Sequence, residues 1–70
     1  MTYKVYTNYG YTDENARYKT DNLADALQWA WDFTYHGGDT AGCLMVEVGY
    51  HSPDGEYHVV KRYDIDEDDD

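Results

Sequence analysis

Two histidines, His51 and His58, flank the segment Ser52-Pro53-Asp54-Gly55-Glu56. This is the one place where residue types and spacing suggest a metal. The histidines would meet across a hairpin, with Asp54 or Glu56 as a third ligand for zinc. No cysteine pair and no HxxxH spacing accompany them, so solvated hairpin histidines are the simpler reading. Asp64, Asp66 and Asp68 imitate the opening of a calcium loop, but its glycine and closing glutamate are missing. Cys43 is the single cysteine, and no histidine lies beside it in sequence; it reads as a small apolar residue at a strand start. Ser52 is the only serine and sits in a turn, unlike the nucleophile of a triad. Gly37-Gly38 closes a helix instead of opening one, which is the wrong polarity for a phosphate. The expectation is a non-enzymatic chain with no cofactor and no resident metal.

Charge is the stronger signal. The chain of 70 residues carries 15 acids and 5 bases, a formal −10. Residues 64–70, DIDEDDD, hold six of those acids and no base. The other 63 residues hold nine acids and five bases, a net of −4. Residues 1–63 are therefore expected to form one domain, and 64–70 an acidic, disordered tail. A polyanion is repelled by such a chain, so direct nucleic-acid binding is not expected. A cationic protein surface is attracted. Basic partners in a cytoplasm are mostly proteins that handle DNA or RNA. The groups expected to meet such a partner are Asp21, Asp25, Asp32 and Asp39 on and around a helix, with Asp66, Glu67, Asp68, Asp69 and Asp70 of the tail. Both tryptophans read first as core packing; the other reading makes one of them, Trp29 before Trp31, a partly exposed anchor among these groups.

These groups need elements to hold them. Only Asn22 to Gly37, NLADALQWAWDFTYHG, has helical periodicity. Steps of about 100° put Leu23, Ala26, Leu27, Ala30, Phe33 and Thr34 on one side. Asp25, Gln28, Asp32 and His36 fall opposite. Trp31, with Ala24 and Tyr35, flanks one edge of the stripe and Trp29 the other. Asn22 is placed to cap the first turn, and Gly37-Gly38 to end the helix.

The remaining runs read as strands. Residues 2–9, TYKVYTNY, and 16–20, ARYKT, alternate and form a first hairpin around GYTDEN. Residues 43–50, CLMVEVGY, put Leu44, Val46, Val48 and Tyr50 on one face. Pro53-Asp54-Gly55 is a turn with a mechanism, since proline presets φ and glycine takes the positive one. Residues 57–65, YHVVKRYDI, form the last strand. There Tyr57 and Val59 would face the core and Lys61 would follow them, so a bulge or a strand end near Val60 is expected. The fold class is α+β: a four-stranded antiparallel sheet with one helix on one face, in the order β-β-α-β-β. The sheet's far face would carry Lys4, Tyr6, Arg17, Lys19, Met45 and Glu47.

Aliphatic residues are scarce, with three Leu, one Ile and five Val against nine Tyr, two Trp and one Phe. Aromatic rings must therefore supply much of the core. A homodimer that hides a tyrosine-rich sheet face is the alternative reading. No apolar run approaches the length of a membrane span and no targeting segment is evident, so no membrane partner and a cytoplasmic location are expected.

In size, acidity, tyrosine content and β-β-α-β-β layout, the chain resembles the small acidic proteins that bacteriophages encode against host machinery. These include anti-CRISPR proteins, anti-restriction DNA mimics and uracil-DNA glycosylase inhibitors. The resemblance is one of overall character and carries over no residue. It implies a stoichiometric inhibitor of a basic host protein or nucleoprotein complex, acting by steric block or nucleic-acid mimicry. The body, at a net −4, is less acidic than a strong mimic.

Overall fold

Asn22 starts the helix by the mechanism its position suggests. Its side-chain oxygen accepts from the Asp25 N–H at 3.1 Å, and helix α1 runs from Leu23 to Tyr35. Asp25 stands in the first turn, where a carboxylate meets the positive end of the dipole. At the other end the His36 N–H returns to the Asp32 carbonyl at 2.7 Å. Gly37 then takes φ +123°, open to glycine and strained for other residues. These features belong to a computed structural model, which describes residues 1–38 and 40–65. Asp39, Asp66, Glu67, Asp68, Asp69 and Asp70 lie outside the described residues.

Four strands complete the chain: β1 (Tyr3–Thr7), β2 (Asn15–Thr20), β3 (Met45–His51) and β4 (Tyr57–Asp64). They form one antiparallel sheet in the order β2-β1-β3-β4, with α1 in contact with all four. The α+β class and the β-β-α-β-β order are those expected. Between helix and sheet lie Val5, Val46 and Val48 from the central strands, under Ala26 and Ala30. The two alanines let the helix backbone approach closely. Rings and longer side chains close the perimeter, among them Tyr3, Tyr18, Leu27, Trp29, Phe33 and Tyr63.

Two bulges decide which side chains reach which face. Opposite Val48 and Gly49 stand Lys61 and Val59, so Val60 is the extra residue, where the broken alternation places it. One extra residue exchanges the faces beyond it. Tyr63 thereby packs on the helix side, while Tyr57 and Val59 turn to the outer face, against the expectation that they line the core. Val59 is half exposed. The second bulge has no sequence signal. Val5 pairs with Tyr18 and Tyr6 with Ala16, which leaves Arg17 as the extra residue. Arg17 was expected beside Lys4 and Lys19 on the outer face. Instead its guanidinium lies 5.6 Å from the Phe33 ring centre, on the helix side, and its Nε donates to Thr7 Oγ1 at 3.2 Å. Leu44 also departs from its expected place. It precedes β3 and is half exposed, with its N–H given to Asn8 and its carbonyl to Ile65.

The outer face is closed by the chain itself. Tyr6, Met45 and Glu47 are buried there with no helix above them. Tyr9 stacks on Tyr57 at 4.1 Å and meets Tyr6 at 4.8 Å between ring centres. Gly49 makes room for this, since a Cβ there would collide with the Tyr57 ring. Asn8 ties down the start of the intervening loop. At φ +55° its Nδ2 donates to Asp13 at 2.9 Å and to the Gly42 carbonyl at 3.1 Å, and its Oδ1 accepts from Leu44 N–H at 2.6 Å.

Candidate functional site

Asp25 and Asp32 are seven residues apart on α1, hence on one face and separated by about 10.5 Å along the axis. Both are exposed. Asp25 accepts from the Tyr18 hydroxyl at 2.7 Å and Asp32 from Gln28 Nε2 at 3.1 Å. The bond to Asp25 pushes the Tyr18 phenol above its usual range. No lysine or arginine pairs with either carboxylate among the described residues. No basic residue occupies the last turn of the helix. The acidic face of α1 is therefore uncompensated. Asp21 does not join it. It stands ahead of the helix, accepts from Thr2 Oγ1 at 3.1 Å and lines a depression with Lys4 and Lys19.

Trp29 is packed and not an open side chain. Trp29 is half-buried in a parallel stack, 5.0 Å from the Tyr18 ring centre and 5.3 Å from Phe33. The bulge at Arg17 closes that stack from the far side by placing the guanidinium over Phe33. The exposed indole is Trp31, with 43% of its surface open, beside Tyr35 with 57% open. Trp31 lies 5.7 Å from Tyr35 and 4.5 Å from the His36 ring, and Tyr35 meets the edge of Tyr63 at 6.2 Å. Ala24, Leu27, Gln28, Trp31 and Tyr63 line a shallow groove along this flank. Burial, and then the neighbouring Tyr35, push the Tyr63 phenol upward. The residue after Tyr63 is Asp64, where the acidic run of the sequence begins; Asp64 itself is paired with Arg62 Nε at 2.9 Å.

The hairpin between β3 and β4 assembles a serine, a histidine and two carboxylates without making a nucleophile. His58 Nε2 is 3.3 Å from Ser52 Oγ, but the Ser52 hydroxyl donates to Asp54. Glu56 approaches the same histidine nitrogen, at 3.9 Å, and among the described residues no carboxylate pairs with Nδ1, where a triad places one. The cluster is a turn clamp. Ser52 N–H bonds the Glu56 carbonyl at 2.9 Å and Glu56 N–H bonds Asp54 Oδ1 at 3.1 Å. The Ser52 hydroxyl, and then the Glu56 N–H, hold the Asp54 carboxyl below its ordinary range.

Register separates the two hairpin histidines. His51 pairs with Tyr57 and Tyr50 with His58, so the two histidines occupy adjacent rungs and point to opposite faces. His51 lies against Tyr57 and His58 stacks on Tyr50, each at 5.1 Å. No group of three or more metal-ligating side chains forms among the described residues. Cys43 is buried as a free thiol. Glu47, 5% exposed, accepts from the Tyr57 hydroxyl at 3.2 Å. Burial, reinforced by the Glu47 charge, drives the Tyr57 phenol far above its usual range. Sequence reasoning missed this pair because its register depends on the bulge at Val60. Among the described residues, no helix is long and apolar enough to cross a membrane. Compared with protein families, curated proteins and solved structures, the chain finds no match.

Proposed function

We propose that the chain is a non-enzymatic, phage-type inhibitor, of anti-CRISPR-like character, that binds a basic nucleic-acid-handling protein or nucleoprotein complex in the host cytoplasm. One observation carries the reading. Trp31 and Tyr35 stand exposed beside the half-buried Tyr63, the acidic run follows Tyr63 in sequence from Asp64, itself paired with Arg62, and α1 adds the uncompensated Asp32. A cationic partner is drawn in by the charge and held by the rings. Steric block suits this surface better than imitation of a duplex. Asp25 and Asp32 are two isolated charges on one helix, and the body carries only a modest excess of acid.

The reading is tested on purified targets, namely a CRISPR effector ribonucleoprotein, a restriction enzyme and a uracil-DNA glycosylase. Binding is followed against salt and catalytic inhibition is followed in parallel. For a bound target, Trp31→Ala weakens affinity by about 2 kcal/mol, roughly thirtyfold. Neutralising Asp25 and Asp32, or Asp66 to Asp70, flattens the salt dependence, because screening acts on the charges removed. Undiminished binding by both sets of variants, or no binding to any of the three targets, overturns it.

A further inference from the structure

A second charged feature lies away from the aromatic corner and has the opposite sign. Lys4 and Lys19 are directly opposed across the β1–β2 ladder. Their Cβ atoms are thus about 5 Å apart, a like-charge arrangement that disfavours the sheet. Neither ammonium has a carboxylate within 4.0 Å among the described residues, although acids outnumber bases threefold in this chain. Lysine on an edge strand guards against edge-to-edge pairing, which accounts for Lys19 on β2. It does not account for Lys4, because β1 is flanked on both sides, by β2 and β3.

Both lysines line an open depression of about 840 Å³ that also takes in His51, Thr2 and Thr20. Asp21 is its one acid, and Thr2 donates to that carboxylate. Thr20 pairs with Tyr3 on the next rung, so its side chain lies on the helix side, where its hydroxyl oxygen accepts from Asn22 N–H. Met1 and Pro53 supply apolar wall. We infer that this depression binds a small phosphate dianion, free or as a monoester, held between the Lys4 and Lys19 ammonium groups. Two flexible point charges rooted on neighbouring strands converge on one tetrahedral dianion. The volume exceeds what a phosphate fills, so an organic substituent has room beside Met1 and Pro53. A nucleic-acid strand is the wrong occupant, since its length would bring it under the negative field of the whole chain. The inference stands apart from the proposed partner surface, from which it shares no residue.

The test is a two-dimensional amide NMR titration of the full chain with inorganic phosphate and with phenyl phosphate, against chloride at equal ionic strength. Saturable shifts confined to residues around Lys4, Lys19, Thr20 and His51 are expected. Tighter binding of phenyl phosphate assigns the site to esters, and equal binding assigns it to the phosphate group alone. Lys4→Gln weakens binding about tenfold through loss of one charge-assisted bond. Lys19→Arg, which keeps the charge, retains saturable binding, and the Lys4→Gln/Lys19→Gln double variant loses it. The amide spectrum of each variant reports whether it is folded. Shifts that never saturate, that spread over the whole chain or that persist unchanged in the folded double variant overturn the inference.

Discussion

The two flanks of α1 hold the same kind of side chain to opposite effect. On the β2 flank, Trp29 lies between Tyr18 and Phe33, with Arg17 completing the stack. On the β4 flank, Trp31 touches Tyr35 and His36 and leaves 43% of its surface to water. The difference comes from the strands and not from the helix. Each strand delivers a ring and a cation, but β2 lays Tyr18 flat on Trp29, whereas β4 places Tyr63, with Lys61 5.5 Å from its ring centre, edge-to-face with Tyr35. An indole stacked between a strand's ring and a helix ring becomes core. An indole that meets only Tyr35 and His36 among the described rings stays open to water.

The sharpest way to break that comparison is to remove each indole in turn. Trp29→Ala should cost about 3 kcal/mol of stability in urea denaturation, since it empties a packed stack. Trp31→Ala should cost about 0.5 kcal/mol, as expected for an exposed position. Partner affinity should follow the reverse order among folded variants. Equal stability losses at the two positions would falsify the division into a closed and an open flank.

A comparable contrast holds across the sheet, because the outer face is sealed by tyrosines from the same chain instead of by a helix. Tyr57→Phe removes the hydroxyl that Glu47 accepts from and should cost about 1.5 kcal/mol, because the carboxylate remains buried. The alkaline limb gives an independent measure. The folded Tyr57 phenol titrates well above its unfolded value of about 10. Its contribution is therefore complete below pH 10 and is lost as the pH rises above it, when the unfolded chain ionises first. Tyr57→Phe should flatten the decline of the denaturation midpoint above pH 10. A decline of unchanged steepness would show that Glu47 and Tyr57 are not coupled as the geometry requires.

Much of this arrangement was legible in the residues. The helix, its Asn22 cap and its glycine stop follow from period and position, and the bulge at Val60 follows from Lys61 intruding on an apolar alternation. The bulge at Arg17 was not legible, because ARYKT alternates without fault and a slip there costs no visible pattern. Trp29 and Trp31 both border the apolar stripe, so the helix alone does not decide between them. That choice depends on which strand lies under each flank, hence on the order β2-β1-β3-β4 and on a register that only long-range pairing sets. Asn8 offered one clue, since asparagine tolerates positive φ better than most residues. Its bonds to Gly42 and Leu44 span more than thirty positions and leave no local trace.

The smallest expected effect concerns the β3–β4 turn, where the hairpin could have been a reaction centre and is a clamp instead. Asp54 accepts from the Ser52 hydroxyl and from the Glu56 N–H, and both favour its ionised form. Its folded carboxyl is thus more acidic than its unfolded one. The stability it adds is present above the unfolded value, about pH 3.9, and disappears as the pH falls through the lower folded value. Asp54→Asn should therefore lower the midpoint of denaturation slightly at pH 7, and the gap to the parent should narrow as the solution is acidified below pH 4. Because Asp54 is solvent-exposed, the effect should be modest and should shrink in salt. A gap that widens on acidification would mean that these two bonds do not favour the ionised Asp54 in the folded chain.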